Sequence, residues 1–161
     1  MEAENPRTGT SKRFSLIESV DWVNVIALTT DDRVVLVRQY RAGVDRVCLE
    51  IPGGMVDAGE TARAAGIREL REETGYTGGT WQELGTSSPN PAIQSNRLIT
   101  MLAVGVERTE DPEPDEGEVI EVETATLPDV QHKLRTGEID HALVIVAFGH
   151  LAFRVGNLRA I

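Results

Sequence analysis

Apolar and β-branched runs alternate with polar turns through most of the chain, and this pattern predicts strands. The first two runs are separated by the turn-like TTDD, which indicates a hairpin, and the third ends at Pro52-Gly53-Gly54. Further runs follow a helical segment in the middle of the chain. The predicted strands are Val23–Leu28, Arg33–Tyr40, Val47–Ile51, Thr80–Thr86, Leu98–Val106 and Val119–Glu123.

Three segments have the pattern of helices. Residues 61–74 contain several Ala and no Pro, and Gly75 is a typical stop signal. Leu127–Arg135 and Asp140–Val155 close the chain, separated by TGEID. Strands come first, one helix is inserted, and helices end the chain, which predicts an α/β fold with a mixed sheet between helices. We expect a polar N-terminal tail over residues 1–13 and a single domain over residues 14–161.

Charge narrows the range of partners. The chain has 16 basic and 26 acidic residues and a formal net charge of -10, which disfavours nucleic acid and anionic membranes. A small phosphorylated ligand remains compatible, because a divalent cation can reverse the local sign. The single Cys48 and the absence of a recognisable targeting segment predict a cytoplasmic protein. The apolar run ALVIVAFGHLAF at 142–153 is too short to cross a bilayer.

Three carboxylates crowd the end of the predicted helix. Glu69, Glu72 and Glu73 lie just before Gly75, where the partial negative charge of a helix C-terminus repels them. On a helical wheel, Glu73 lies about 40° and Glu72 about 60° from Glu69, so all three share one side. The sequence pattern alone leaves two interpretations open: a solvated acidic face, or a site for a divalent cation such as Mg²⁺.

The other faces of this helix have separate predicted roles. Arg68 precedes Glu72 by four residues and is placed to pair with it. Ile67, Leu70 and Thr74 point to a different side, which we expect to be the core face. The core therefore takes one side of the helix, and the carboxylates take another.

The segment before this helix helps to choose between a solvated acidic face and a cation site. EIPGGMVDAGE at 50–60 places glycines between a strand and the helix, followed by Glu60. Glycines there let the backbone approach a ligand, so the Gly53 carbonyl could face a metal. A tight turn that needs positive φ explains the same glycines equally well.

These two segments together form a known pattern. Gly54, five residues, Glu60, seven residues and then RELREETGY at 68–76 resemble the full signature of the Nudix hydrolases, with Tyr76 in place of the usual aliphatic residue. RQYR at 38–41, LEIPGG at 49–54, Pro91 and GEIDHALVIVAF resemble the ADP-ribose pyrophosphatase and nucleoside-diphosphate-sugar branch of that family. The resemblance covers roughly residues 20–155.

The resemblance implies a Nudix α/β/α sandwich that hydrolyses a pyrophosphate bond with Mg²⁺, or Mn²⁺ as an alternative. The products would be a nucleoside monophosphate and a sugar phosphate, and the partners a nucleoside diphosphate substrate and a second copy of the chain in a homodimer. The implied metal ligands are the Gly53 carbonyl, Glu69, Glu72 and Glu73, with Glu60 as either a further ligand or a residue that supports the ligands from behind. Arg68 is expected to orient the glutamates, and Glu72 to bind metal directly or through water.

Further roles follow from the same resemblance. A Glu on a loop after the signature often serves as general base in this branch, and DEGE at 115–118 offers Glu116 and Glu118. For each, a solvated loop charge is the competing interpretation. Arg41, Glu50 and Gln94 are the expected substrate-binding residues. Glu72, Glu116, Glu118 and Arg68 make up the predicted catalytic set.

One departure from the family pattern leaves the substrate open. ADP-ribose enzymes often have Ser-Pro-Gly with a Glu four positions beyond the Gly, whereas this chain has Asn90 and Gln94 there. Other nucleoside-diphosphate sugars therefore stay possible, as does hydrolysis of damaged nucleoside triphosphates. A catalytically silent nucleotide sensor is a third hypothesis, although the chain keeps every signature carboxylate. His132, His141 and His150 are interpreted as ordinary surface or core residues.

Overall fold

A computed structural model describes residues 1–114, 117 and 119–155, and these residues form nine strands and three helices. The strands are β1 (Glu2–Glu4), β2 (Ser11–Arg13), β3 (Trp22–Thr29), β4 (Arg33–Arg41), β5 (Arg46–Glu50), β6 (Gly53–Met55), β7 (Tyr76–Ser87), β8 (Leu98–Arg108) and β9 (Ile120–Thr126). The helices are α1 (Ala62–Thr74), α2 (Leu127–Thr136) and α3 (Ala142–Val155).

The main sheet is mixed, as predicted. Its order is β5-β4-β3-β8-β7, with β6 added to β3 and β9 added to β4. β3 and β8 run parallel, and the other pairs are antiparallel. Across the predicted hairpin, β3 and β4 pair at Leu28 and Val34, beside the turn. Their far ends take other partners, and the opening between them becomes part of the cleft described below.

The two faces of the sheet bury different residues because side chains alternate along each strand. Val23, Val25 and Ala27 of β3 pack with Ala65 and Leu70 of α1. Ile26 of the same strand belongs to a second cluster on the opposite face, which α2 and α3 cover with Val130, Val144, Ala147 and Phe148. The predicted arrangement of a mixed sheet between helices is confirmed.

Helix α1 begins and ends where its sequence predicts. The Thr61 side chain accepts a hydrogen bond from the Ala64 N–H, and Gly75 ends the helix in the left-handed conformation with φ 73°. The core face differs from the prediction at Ile67, which is 41% exposed, whereas Leu70 and Thr74 are fully buried. The helix approaches the sheet through Ala65, Gly66 and Leu70, and this contact leaves Ile67 on the solvent side.

Two connections are strands in the structure, and a third packs against α1. Gly53–Met55 forms the short strand β6 on β3, and neither Gly53 nor Gly54 has the positive φ of the tight turn that was one of two interpretations. The sequence also predicts a glycine-rich link after Gly75, but these residues lie within β7, where Gly78 and Gly79 have positive φ. The sequence predicts an acidic, Pro-containing loop over residues 107–118. Its described part lies against the end of α1, where the Thr109 and Glu110 N–H groups donate to the Gly75 carbonyl.

The polar N-terminal segment is folded where a tail was expected. β1 and β2 form a separate antiparallel pair in which Glu2 lies opposite Arg13, a favourable pairing of unlike charges. The division into a tail and a single domain from residue 14 stays a prediction. Within the described residues, no helix is both long and apolar enough to cross a membrane.

Candidate active site

A cleft of about 460 Å³ opens at the end of the sheet where β3 and β4 separate. One side carries the glutamates of α1 and the glycines of β6, and the other carries the ends of β4 and β5 and the start of α3. The residues that line it are Trp22, Val23, Asn24, Gln39, Arg41, Glu50, Ile51, Gly53, Gly54, Met55, Glu69, Glu72, Glu73, Leu98, Pro114, His141, Leu143 and Val144.

Strand β6 shapes the acidic side of the cleft. Glu73 is only 4% exposed, and its Oε2 accepts a hydrogen bond of 3.0 Å from the Gly53 N–H. The Glu69 carboxylate lies against the backbone of Gly54, so closely that a Cβ at Gly54 would overlap Glu69 Oε1 and lie 2.8 Å from Oε2. The absence of a side chain at residue 54 therefore makes room for the Glu69 carboxylate.

Arg68 supplies positive charge to this acidic cluster. One terminal nitrogen, Nη1, donates to Glu69 Oε1 at 2.9 Å and to Glu72 Oε2 at 3.2 Å. Nη2 donates to Glu60 Oε2 at 3.2 Å and to the Met55 carbonyl at 2.9 Å. The predicted pairing of Arg68 with Glu72 is thus observed, and the guanidinium also reaches two further carboxylates.

These hydrogen bonds change the acid–base properties of the cluster. Hydrogen bonding to Glu60 first, and then to Glu69 and Glu72, raises the pKa of the Arg68 guanidinium above its ordinary value. The same Arg68 hydrogen bonds lower the pKa of Glu60. A permanently charged guanidinium therefore offsets the repulsion between carboxylates at the end of α1.

The donor set fits a divalent cation, although its side chains hold other partners. Glu69, Glu72 and Glu73 line one cleft with hard carboxylate oxygens, the donors that Mg²⁺ prefers. Within the described residues, no three His, Cys, Asp or Glu side chains already converge as a metal site. Glu69 and Glu72 face Arg68, and Glu73 faces the Gly53 N–H. Metal binding would therefore require these side chains to converge, and each carboxylate has enough lone pairs to do so while it keeps a hydrogen bond.

Other predicted metal and base residues have different positions. Glu60 is not among the residues that line the cleft, and it contacts Arg68. Gly53 does line the cleft, and its carbonyl as a metal ligand stays a prediction. Glu116 and Glu118 lie outside the described residues. The neighbouring Pro114 lines the cleft, and the Glu113 N–H donates to the Glu72 carbonyl at 2.7 Å.

Arg41 and Glu50 form the centre of the opposite side. The Arg41 Nε and Nη2 atoms each donate to a different Glu50 oxygen at 2.8 Å, and the Glu50 side chain is only 4% exposed. This paired geometry fixes the guanidinium plane at the cleft surface. Gln94, the third predicted substrate residue, is not among those that line the cleft; its N–H donates to the Asn90 carbonyl.

The cleft also contains His141 and Asn24, to which the sequence assigned no functional role. His141 directly precedes α3, and its Nδ1 lies 3.7 Å from Glu50 Oε2. Asn24 of β3 is 6% exposed and donates from Nδ2 to the Leu143 carbonyl at 3.0 Å. Asn24 and Leu143 are 119 positions apart, so no local pattern signals their contact.

Comparison with known proteins agrees with this geometry. The NUDIX domain family matches residues 20–147. The chain belongs to the Nudix family. Nudix proteins typically use a divalent metal, and membership implies a nucleoside-diphosphate-linked substrate. The fold and the signature glutamates are thus those of a Nudix pyrophosphohydrolase.

Proteins similar to this chain carry different names. The chain is 29% identical to the "ADP-ribose pyrophosphatase" of Bacillus subtilis over 154 residues, which cover 95% of this chain and 83% of that protein. It is also 29% identical to the "Methanol dehydrogenase activator" of Bacillus methanolicus, with coverage of 93% and 81%. A crystal structure of an ADP compounds hydrolase superposes with a TM-score of 0.81 at 22% identity, covering 99% of this chain and 86% of that one. The last comparison supports the Nudix fold alone.

Replacing Arg68 with Met is expected to make the stability of this Nudix domain depend on metal. The variant leaves Glu60, Glu69 and Glu72 without their shared guanidinium, so their repulsion should lower Tm by several degrees in EDTA. Millimolar Mg²⁺ should restore a larger part of Tm in the variant than in the wild-type protein, because a cation at the same carboxylates replaces the lost charge. Thermal unfolding with EDTA and with Mg²⁺ measures both effects.

Arg63→Met provides the matched control, since Arg63 is an exposed residue of the same helix. Its Tm should follow the wild-type value in both buffers. An Mg²⁺-induced rise in Arg68→Met no larger than that of the wild type would argue against a shared site for guanidinium and metal.

Proposed function

We propose that this protein is a Mg²⁺- or Mn²⁺-dependent hydrolase that cleaves the pyrophosphate bond of ADP-ribose or a related nucleoside-diphosphate sugar. The products are a nucleoside monophosphate and a sugar phosphate. The observation that carries the proposal is one cleft with three glutamates on one side and a fixed arginine on the other. A diphosphate placed between them meets both a metal-binding surface and a positive charge.

Each side of the cleft has a distinct task in this proposal. Glu69, Glu72 and Glu73 hold the cation, which when bound neutralises the diphosphate and activates a water molecule. Arg68 keeps the glutamates grouped before the cation arrives. Arg41, oriented by the buried Glu50, is available to bind a phosphate oxygen. Glu116 or Glu118 remains our proposed general base.

The substrate class is supported by sequence relationship. The Bacillus subtilis relative is named for ADP-ribose hydrolysis and aligns along nearly the whole chain. Asn90 and Gln94 differ from the pattern common among ADP-ribose enzymes, so the proposal covers other nucleoside-diphosphate sugars. A homodimer and a cytoplasmic location belong to the same proposal.

A substrate panel tests this function. Purified protein is incubated with ADP-ribose, other nucleotide sugars, dinucleotides and nucleoside triphosphates, each with Mg²⁺ or Mn²⁺, and the products are separated by chromatography. We expect a nucleoside monophosphate and a sugar phosphate from at least one nucleotide sugar, at a higher kcat/KM than any triphosphate gives. Glu73→Gln is the negative control for a contaminating hydrolase.

A different outcome would select another hypothesis. Release of inorganic pyrophosphate from a triphosphate, at higher kcat/KM than any nucleotide sugar, would favour removal of damaged nucleotides. Nucleotide binding without any product would favour a sensing module.

A further inference from the structure

We propose that Asn24 and His141 form a specificity site that binds a hydroxyl of a substrate ribose next to the scissile pyrophosphate. This inference rests on the proposed function and deepens it, because it concerns how the same cleft selects sugar-linked diphosphates.

The first observation is an unpaired buried acceptor. Among the described residues, Asn24 Oδ1 is buried and has no hydrogen-bond partner, and Asn24 lines the cleft. The orientation of the amide is determined, because Nδ2 donates to the Leu143 carbonyl, and a flipped amide would place two oxygens together. An orphaned buried carbonyl is costly, so a ligand that donates a hydrogen bond to Oδ1 gains more than it would at an exposed amide.

The second observation concerns the neighbouring imidazole. His141 lies two residues before Leu143, and its Nδ1 is also buried without a hydrogen-bond partner among the described residues. Glu50 Oε2 lies 3.7 Å from this nitrogen, beyond hydrogen-bond distance. Asn24 on β3 and His141 before α3 thus bring an acceptor and an imidazole to the same cleft. A sugar hydroxyl can donate to one and accept from the other.

The position of Asn24 determines which part of the substrate it meets. Asn24 pairs in register with Gly53, whose N–H binds the Glu73 carboxylate, so Asn24 lies one strand from the acidic side of the cleft. In a substrate such as ADP-ribose the riboses flank the pyrophosphate directly, so they are the first hydroxyl-bearing groups beyond a pyrophosphate bound at the glutamates, and the base lies farther along the molecule. Ionised phosphate oxygens only accept hydrogen bonds, so Asn24 Oδ1 disfavours them. A triphosphate chain at this position is therefore selected against.

The test compares Asn24→Leu with the wild type on three substrates that share the pyrophosphate bond. They are ADP-ribose, a butyl ester of ADP that lacks the distal ribose, and an ADP-ribose analogue with a 2′,3′-dideoxyadenosine. We expect Asn24→Leu to lower kcat/KM for ADP-ribose by about 10-fold. One of the two analogues already lacks the recognised hydroxyl. For that analogue, Asn24→Leu should lower kcat/KM by less than about twofold. His141→Phe, which keeps a ring of similar size, should show the same selectivity.

Thr100→Val is the matched control. Thr100 is the register partner of Asn24 on β8, is fully buried, and also has an unpartnered oxygen among the described residues, but it does not line the cleft. It should leave kcat/KM unchanged for all three substrates. Thermal unfolding of every variant identifies loss of folding, and Asn24→Ser serves as a smaller second variant if Asn24→Leu does not fold.

Two results overturn the proposal. One is an equal loss of kcat/KM on all three substrates in Asn24→Leu or Asn24→Ser, which indicates a structural role. The other is no loss at all. If the wild-type protein cleaves none of the three substrates, the proposed function is wrong, but the inference about Asn24 and His141 still has a separate test. Calorimetric binding of ADP-ribose to wild type and variant then decides the inference, with equal affinities counting against it.

Discussion

Glu73→Gln is expected to lower kcat by about 1,000-fold at saturating Mg²⁺, because one ligand charge is lost where metal stabilises the transition state. The fold should remain intact. Glu73 is nearly buried and receives the Gly53 N–H, and a glutamine carbonyl can accept the same bond. Removing one carboxylate from the end of α1 also relieves repulsion, so Tm should equal or exceed the wild-type value in EDTA. Steady-state kinetics, Mg²⁺ calorimetry and thermal unfolding measure the three effects.

Glu107→Gln makes the same chemical change at an exposed position on β8 away from the cleft. It should retain wild-type turnover and Mg²⁺ affinity. Near wild-type turnover in Glu73→Gln would show that Glu73 is not a metal ligand. If Glu73→Gln loses activity and also has a strongly lowered Tm, the main role of Glu73 is structural, through its hydrogen bond with the Gly53 N–H.

Local chemistry made the ends of α1 predictable, whereas its core face depends on the sheet. Thr61 and Gly75 act through hydrogen bonds and backbone conformation within a few residues, so their roles are visible in the sequence. Ile67 is apolar and has the spacing expected of a core-facing helix residue, yet it is exposed. A Cβ at Gly66 would lie 3.2 Å from a Val25 methyl and 3.3 Å from the Trp81 ring. This close approach sets the rotation of the helix, and it comes from tertiary packing.

The sequence identified which residues form the acidic cluster, but it predicted only part of their contacts. Spacing placed the glutamates on one side of the helix, but left a solvated face and a metal site equally open. Burial of Glu73 to 4% exposure disfavours the solvated face at that residue. Arg68 contacts Glu60, eight positions earlier, as well as Glu69 and Glu72. That combination depends on how the segment before α1 folds back, which helical geometry alone does not specify.

On the side of the cleft opposite the glutamates, some residues could be predicted from the sequence and others could not. Arg41 and Glu50 were predicted from a family resemblance, and both line the cleft. His141 was interpreted as an ordinary histidine because its spacing to the other histidines fits no ligand pattern. Its place in the cleft arises because α3 begins beside Glu50. The orphaned oxygen of Asn24 likewise becomes visible only when β3 and α3 are in contact.

Two adjacent glycines should respond in opposite ways to the same added methyl group. In Gly54→Ala the new Cβ collides with the Glu69 carboxylate, the far end of a flexible side chain, which can move at small cost to stability. Displacing Glu69 by about 1 Å should lower kcat/KM by about 100-fold while Tm stays near the wild-type value. In Gly53→Ala the Cβ overlaps the Val23 carbonyl and lies 2.8 Å from the Asn24 Cα. Backbone atoms of β3 cannot move in this way, so the variant should lose much of its stability or fail to fold.

Gly43→Ala completes the comparison, since a Cβ there meets no atom within 4 Å and its φ is not positive. It should keep both activity and Tm, and purified variants compared by kinetics, Mg²⁺ calorimetry and thermal unfolding give the pattern directly. Weakened Mg²⁺ binding in folded Gly54→Ala would place the lost activity at Glu69, because that carboxylate is the group that the methyl displaces. Full activity in Gly54→Ala would mean that Glu69 can move aside without consequence, and its assignment as a metal ligand would then be wrong. A fall in Tm in Gly54→Ala as large as in Gly53→Ala would instead make both glycines structural, with β6 held as tightly at residue 54 as at residue 53.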